Sequence, residues 1–143
     1  MTPMGARTFT KGSITSQAAA DVLRAAEAKA AEMGVPMVIA VVDESGVLKA
    51  FSRMDGAPLL SVELATDKAY TSAAYGIPTH GWHEFIKNDP PLLHGIIKTP
   101  RLIVFGGGYP IEIDGAVVGG VGVSGGHYEQ DMEVAKAGLA ALS

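Results

Sequence analysis

Six consecutive apolar residues, Met37 to Val42, restrict the fold of this chain more than any other feature. A strand with one face in water alternates apolar and polar residues, whereas this run has no polar position. We therefore expect a central strand that is covered on both faces. After the turn Asp43–Gly46, residues Val47 to Met54 alternate, which indicates a neighbouring strand with two unlike faces.

Three longer segments have the periodicity of helices that bury one face: Ile14 to Met33, about Leu60 to Ala74, and about Tyr128 to Leu142. Thr15 or Ser16 can cap the first of them, because a side-chain oxygen there accepts from the unpaired amides of the first turn. Gly34 suits the left-handed residue that ends this helix. The sequence therefore predicts helices that pack on a sheet.

Three further strands are predicted in the C-terminal part of the chain: Leu102 to Phe105, Ile111 to Ile113 and Val117 to Val123. Asp114-Gly115, between the last two, is a strong two-residue hairpin signal. Since hairpin connections dominate, the sheet should be mostly antiparallel with helices on its faces. The predicted fold class is α/β of the α+β kind, with a five-stranded, mostly antiparallel sheet in a single domain over residues 1–143.

Charge and composition argue against several classes of function. The chain has a net charge of −4 and scattered basic residues, whereas a nucleic-acid binder clusters them. The absence of cysteine removes disulfides, thiolate metal sites and a cysteine nucleophile. No apolar run approaches the roughly 20 residues of a membrane span, and the first residues do not resemble a signal peptide. We expect a cytoplasmic protein with no nucleic-acid or membrane partner.

The irregular segment 76–100 holds three of the four histidines and the only tryptophan. A stretch of this length inside a compact domain is typical of a binding loop. His80 and His83 share a face if Thr79 to Lys87 forms a short helix. Their spacing fits no strict metal motif, so no metal site is predicted, while acid–base catalysis, ligation of haem iron and an ordinary polar role stay open. Trp82 is a candidate wall of a ligand pocket.

Two glycine-rich turns, Gly106–Gly108 and Ser124–Gly126, flank the predicted hairpin and should meet at one end of the sheet. Their amides, with the N-terminus of the last helix, can bind a carboxylate or carbonyl oxygen. The candidate ligand-binding residues here are Gly107, Gly108, Tyr109, Ser124, Gly125 and Gly126. Residues 120–125 also match G-x-G-x-x-G, but a dinucleotide site needs a further strand with an acidic residue about 20 positions on. Close backbone packing is the alternative role of these glycines.

His127 begins the last helix directly after the second glycine turn, which makes it the first candidate for a catalytic group. The positive end of the helix dipole favours the neutral imidazole of a base or a metal ligand, whereas Glu129 and Asp131 act against it. Lys68 and Arg53 either hold a carboxylate or lie as ordinary charges on the surface. The catalytic candidates are His127, His83, His80, Lys68 and Arg53.

Five motifs in register, from about Ser13 to the C-terminus, resemble the GlcG/HbpS-like family, which is also called haem-degrading: Val41–Gly46, Arg53–Ala57, Asp67–Ala69, Gly106–Ile111 and Val118–Gly126. The resemblance implies a profilin-like, five-stranded sheet and homo-oligomers that are dimers, tetramers or octamers. It implies haem or a related tetrapyrrole as a ligand of some members. Other members are C-terminal domains of PduO-type proteins or are encoded beside glycolate or aromatic-catabolism enzymes.

His127 departs from the family pattern, in which Thr or Ala usually follows the Ser-Gly-Gly turn. The version found here resembles a subgroup among aromatic-degradation proteins, for which hydrolysis of ring-cleavage products is suggested. The leading hypothesis is a small-ligand protein that binds haem or a related tetrapyrrole through His80, His83 or His127. The alternative is a metal-independent hydrolase of unsaturated carboxylates or semialdehydes, with His127 as acid/base, glycine-turn amides at the oxyanion, and Arg53 or Lys68 at the carboxylate. A third alternative is an accessory protein without a ligand, and whether any turnover occurs stays open.

Overall fold

The computed structural model of this chain describes residues 2–143. The three long helices start and end within two residues of their predicted bounds, and no helix in the described residues is long and apolar enough to cross a bilayer. In chain order the elements are α1 (Ser16–Met33), β1 (Val38–Asp43), β2 (Leu48–Arg53), α2 (Leu60–Tyr75), α3 (Gly81–Ile86), α4 (Pro90–Gly95), a 3-10 helix (Ile96–Lys98), β3 (Gly108–Ile113), β4 (Ala116–Ser124) and α5 (Tyr128–Ala140).

Four strands form one antiparallel sheet in the order β2-β1-β4-β3. An antiparallel sheet flanked by helices is thereby confirmed, but the prediction of five strands is wrong. The expected strand at 102–105 lies along α2 instead of joining the sheet. Thr71 Oγ1 donates to the carbonyl of Arg101 at 2.9 Å and accepts from the N–H of Ile103 at 3.1 Å, which ties this segment to the helix.

The central strand β1 is covered on both faces, as its apolar run predicts. α1 and α5 lie on one face of the sheet, where Ile39 and Val41 belong to the core. α2 lies on the other face, over Val38, Ala40 and Val42. All five side chains are fully buried, and burying a Val or Ile side chain stabilises a fold by about 1.5–3 kcal/mol. Alternation along the strand therefore supplies both helix layers with apolar contacts.

β4 presents no side chain to α2 at two positions where the helix crosses it. Cross-strand pairing places Gly122 opposite Ala40, and Gly120 faces the same side two residues before it. A Cβ atom at Gly122 would overlap the carbonyl oxygen of Ala65, and one at Gly120 would overlap that of Ala69. The helix therefore lies against the strand backbone. These glycines allow close packing of helix and strand. That is the role that the sequence analysis gives as the alternative to a nucleotide site.

The residues that are predicted to cap and end α1 and to turn the hairpin have these roles in the structure. Thr15 Oγ1 accepts from the N–H of Ala18 at 3.1 Å and caps α1, and Gly34 ends that helix with a φ of 73°. Asp114 (φ 53°) and Gly115 (φ 80°) make the tight turn between β3 and β4. This hairpin brings the start of β3 and the end of β4 to the same end of the sheet.

Candidate functional site

The two glycine turns meet at one end of the sheet, as the sequence predicts. β3 begins where β4 ends, and the two strands are paired. The carbonyl of Gly107 accepts from the N–H of Val123 at 2.9 Å, which joins the two turns directly. We call this region, residues 106–108 and 124–126, the glycine end.

A buried ion pair joins α2 and α5 at the glycine end. Lys68 Nζ donates to Asp131 Oδ2 and to the carbonyl of Val123, each at 2.9 Å, and the two charged side chains are 0% and 3% exposed. The other carboxylate oxygen of Asp131 accepts from the N–H of Gly126 at 3.0 Å. Lys68 Nζ also lies 5.0 Å from the ring centroid of Phe105. Since α2 and α5 cover opposite faces of the sheet, the pair connects the two helix layers.

Burial dominates the protonation of this pair. Burial lowers the pKa of Lys68, and the attraction of Asp131 only partly opposes the shift. Burial raises the pKa of Asp131 against the opposing effects of Lys68 and of the Gly126 N–H. Both pKa values move in the direction that favours the neutral forms, because burial opposes each charge more than the partner stabilises it. Lys68 thus has an anion partner inside the chain and is not a surface charge.

Two of the amides expected to bind a ligand are engaged within the protein. The N–H of Gly108 donates to Thr79 Oγ1 at 2.9 Å, and the N–H of Gly126 donates to Asp131 Oδ1. Thr79 is itself fully buried. These two amides therefore stabilise the glycine end and are not directed at a ligand.

Ser124 and Gly125 also make contacts inside the fold. The Ser124 hydroxyl donates to Ser61 Oγ on α2 at 3.1 Å, and both side chains are buried. A Cβ atom at Gly125 would lie 2.7 Å from the carbonyl oxygen of Pro36. The second glycine turn is therefore packed between α2 and the segment that leads into β1.

A cavity of about 350 Å³ lies beside the glycine end, between α3, residues 104–106 and the start of α5. We call it the histidine cavity; its walls are formed by His80, His83, Glu84, Val104, Phe105, Gly106 and Tyr128. His80 and His83, which the sequence places on one face of a short helix, both line it. Phe105 lies in the wall and also faces Lys68. Within residues 2–143 no group of three or more His, Asp or Glu side chains is placed to hold a metal ion.

His127 caps α5 and is exposed to solvent. Its Nδ1 accepts from the N–H of Glu129 at 3.2 Å, so the proton of the neutral ring resides on Nε2. The imidazole packs at a tilt against the ring of Tyr128, with a centroid distance of 4.1 Å, and Tyr128 lines the histidine cavity. His127 therefore lies next to that cavity rather than in its wall, and its catalytic role stays a prediction.

Tyr109 lies behind His80 and supports it. The two rings meet edge to face, with centroids 5.5 Å apart. The Tyr109 hydroxyl is buried and has no hydrogen-bond partner in the described residues, and burial raises the pKa of Tyr109. Tyr109 is therefore not part of the cavity wall and contacts it through the ring of His80.

Arg53 and Trp82 lie outside the histidine cavity. Arg53 is exposed at the end of β2, the edge strand farthest from β3, and its guanidinium donates to the carbonyl of Ala57 at 3.1 Å. Trp82 lines a different cavity of about 250 Å³. We call this the aromatic cavity; its walls include Tyr70, Thr71, Tyr75, Trp82, Ile96 and Leu102. The predicted groupings of Arg53 with His127, and of Trp82 with the glycine turns, are therefore not found.

The role of Asp131 is missed by sequence reasoning, which treats it as an acidic neighbour of His127. It precedes Val134 and Ala135 by three and four residues, and so lies on the buried stripe of α5. Lys68 likewise follows Ala65 by three residues on the buried stripe of α2. A lysine and an aspartate on the buried faces of two helices are the sequence signal from which this ion pair could have been predicted.

Fold and site define a small α+β protein with a histidine-lined cavity at one end of an antiparallel sheet. The family described as haem degrading protein HbpS-like matches residues 14–140. The chain therefore belongs to the HbpS-like family, and the resemblance predicted from the sequence motifs is confirmed.

Relatives cover nearly the whole chain. An uncharacterized 15.0 kDa protein of the dhaT–dhaS intergenic region of Citrobacter freundii is 39% identical over 132 residues, which are 91% of this chain and 92% of that protein. Corrinoid adenosyltransferase PduO of Salmonella typhimurium is 38% identical over 122 residues, 84% of this chain but only 36% of that protein. The crystal structure of a PduOC–haem complex matches with a TM-score of 0.83 and 36% identity, over 90% of this chain and 94% of that one. These relatives give no support to an aromatic-catabolism subgroup.

Proposed function

We propose that this protein binds a small ligand, haem or a closely related tetrapyrrole, in the histidine cavity. The observation that carries the proposal is the pair of imidazoles, His80 and His83, in a wall that also has apolar and aromatic side chains. The family description and the haem complex of the relative PduOC support the same ligand.

The residues of the histidine cavity fit the chemical needs of haem. Histidine nitrogen is a common protein ligand of haem iron. Val104, Phe105 and Tyr128 offer apolar and aromatic contacts to the macrocycle. The volume of about 350 Å³ lies within the range of small-molecule sites, about 300–1,000 Å³. When bound, haem supplies a redox-active iron with positions for further ligands.

His83 is the first candidate for the iron ligand. The ring of His80 packs against Tyr109, whereas the His83 side chain makes no hydrogen bond or ring contact within residues 2–143. A side chain without a partner gives up no contact when it turns toward a ligand. Nδ1 of His127 caps α5 and Nε2 carries the proton, so ligation of iron by His127 would cost this cap.

Haem titration followed at the Soret band tests this proposal. We expect the wild-type protein to give a saturable Soret shift with added haem. The variant His80→Ala/His83→Ala should bind haem at least about tenfold more weakly, because no imidazole of the cavity is left to ligate the iron. Of the single variants, His83→Ala should change the spectrum more than His80→Ala.

His94→Ala is the matched control, since His94 is exposed on α4 and lies outside the cavity wall. This variant should keep the wild-type affinity and spectrum. Wild-type binding by the double variant, or the lack of any Soret shift in the wild-type protein, contradicts the proposal.

The hydrolase alternative gains no support from the placement of its residues. Lys68 is bound to Asp131 in the interior, and Arg53 is bound to Ala57 at the far edge of the sheet. His127 uses Nδ1 to cap its own helix. These groups therefore do not surround one substrate.

We further propose that the protein forms homo-oligomers. Leu48 and Phe51 on β2, and Leu59 and Leu60 at the start of α2, expose 47%, 38%, 74% and 71% of their surfaces. α2 lies over β1, β3 and β4, so it leaves this face of β2 uncovered. Exposed apolar patches of this kind are typical of interfaces. Sedimentation velocity should show an oligomer, and a monomer at every protein concentration contradicts this proposal.

The cytoplasmic location of the protein stays a prediction.

A further inference from the structure

The aromatic cavity is separate from the histidine cavity, although α3 contributes to both. It lies between α2, α3 and the segment 96–102, and has a volume of about 250 Å³. Neither the glycine turns nor any histidine contributes to its walls. The rings of Tyr75 and Trp82 lie 4.9 Å apart and form one side. The walls are therefore suited to a flat, apolar group.

Trp82, a wall residue of the aromatic cavity, has an unsatisfied hydrogen-bond donor. The residue is only 2% exposed, and its indole Nε1–H is buried with no hydrogen-bond partner in the described residues. A buried donor without an acceptor is unfavourable, and most such groups in folded proteins have a partner. An oxygen atom of a bound ligand would satisfy it once the indole N–H turns toward the cavity.

Arg101 carries a positive charge next to the same cavity, between the wall residues Pro100 and Leu102. Its guanidinium carbon lies 3.8 Å from the ring centroid of Tyr70, a wall residue, and only its Nε is bound, to Asp67 Oδ1 at 3.0 Å. Both terminal nitrogens of the guanidinium make no hydrogen bond within residues 2–143 and can donate to an oxygen pair.

The backbone at Arg101 adopts a conformation that is unfavourable for residues other than glycine. Its φ is +70°, in the left-handed region that residues other than glycine rarely adopt. The Thr71 hydroxyl bonds to the carbonyl of Arg101 and to the N–H of Ile103, which fixes the turn on α2. Strained residues that their surroundings hold in this way cluster at ligand sites.

We propose that the aromatic cavity is a second ligand site, which takes a small aromatic carboxylate of one or two rings. The aromatic and aliphatic walls contact the ring, and the Trp82 N–H and the Arg101 guanidinium donate to the oxygen atoms. The proposal does not depend on haem, because its residues are distinct from those of the histidine cavity.

Fluorescence of Trp82 reports directly on this site, since the chain has one tryptophan. Benzoate and phenylacetate are the probes, and benzamide and phenylacetamide are their neutral counterparts. We expect a saturable change in Trp82 fluorescence with the carboxylates, and at least about tenfold weaker binding of the amides, because they lack the charge that Arg101 recognises. Absence of a saturable change with both carboxylates overturns the proposal.

Two variants test separately the walls of the aromatic cavity and the charge of Arg101. Arg101→Gln should weaken carboxylate binding about tenfold and leave amide binding unchanged, whereas Ala74→Phe should abolish both by filling the cavity. Arg24→Gln, which changes an exposed arginine on α1, should bind like the wild type. Equal carboxylate affinity in Arg101→Gln and the wild type overturns the assignment of the charge.

The double histidine variant distinguishes this site from the proposed haem site. His80→Ala/His83→Ala should keep wild-type affinity for benzoate and phenylacetate while it binds haem more weakly. Loss of both ligands in that variant overturns the independence of the two cavities. Circular dichroism of each variant shows whether its fold is intact.

Discussion

Lys68→Met is expected to lower the free energy of unfolding by about 3–5 kcal/mol, the usual effect of removing one partner of a buried ion pair. The carboxylate of Asp131 would stay buried with only the N–H of Gly126 as a partner. Asp131→Asn should lose a similar amount, because the ammonium of Lys68 would then keep the carbonyl of Val123 and lose its counter-charge. Denaturant unfolding followed by circular dichroism measures both losses.

The double variant Lys68→Met/Asp131→Asn should lose less than either single variant, because no unpaired charge remains in the interior. Both pKa shifts point the same way, since burial moves each partner toward its neutral form. Lys29→Met is the control: it removes a half-exposed pair with Glu32 and should change stability by less than about 1 kcal/mol. Additive losses in the double variant would show that Lys68 and Asp131 act independently.

Gly122→Ala is expected to destabilise the fold by about 3 kcal/mol or more, because the added methyl group meets backbone that cannot rotate away. The methyl carbon would overlap the carbonyl oxygen of Ala65 and lie 2.5 Å from the amide nitrogen of Ala69. α2 must then move off the sheet. For a chain of this length, that loss lowers Tm by about 10 °C, which calorimetry measures.

Gly120→Ala and Gly95→Ala complete this test. A methyl group at Gly120 would overlap the carbonyl oxygen of Ala69, so a similar loss is expected. Gly95 has a negative φ, and an added Cβ there meets no atom within 4 Å. Its replacement should therefore change stability by about 0.5 kcal/mol or less. A wild-type Tm for Gly122→Ala would mean that α2 does not lie against β4.

Both predictions concern the position of α2, and that position affects the proposed haem site. Lys68 on α2 is bound to α5 through Asp131 and faces Phe105 in the wall of the histidine cavity. The close approach at Gly122 holds the helix that carries Lys68. The wall of the cavity therefore depends on packing between layers as well as on the residues that line it.

Local patterns predict most of the fold because their physical causes act within a few residues. Thr15 caps a helix through an amide three residues away, and Asp114-Gly115 turns a hairpin through its own backbone angles. The apolar run from Met37 requires cover on both faces wherever it lies. The prediction of a strand at residues 102–105 is wrong, because an apolar run is also found in segments outside a sheet. Here the backbone groups of Arg101 and Ile103 bond to the side chain of Thr71 on α2.

The candidate site is only partly predictable, for the same reason. His80 and His83 share one cavity because they are three residues apart on one helical turn. Trp82, between them in sequence, lines the other cavity. The sequence groups Lys68 and Arg53 with His127 in one site. In the structure, Lys68 pairs with Asp131, and Arg53 donates to the carbonyl of Ala57.

By itself, the sequence determined the helices, the paired strands, the glycine end and the family, since each depends on periodicity, turn chemistry or a local motif. Tertiary structure alone decided that Lys68 meets Asp131, that α3 contributes to two cavities, and that the sheet stops at four strands. These outcomes depend on how the layers stack. Stacking brings together residues far apart in the chain, and their burial then decides which charges and hydrogen-bonding groups must pair.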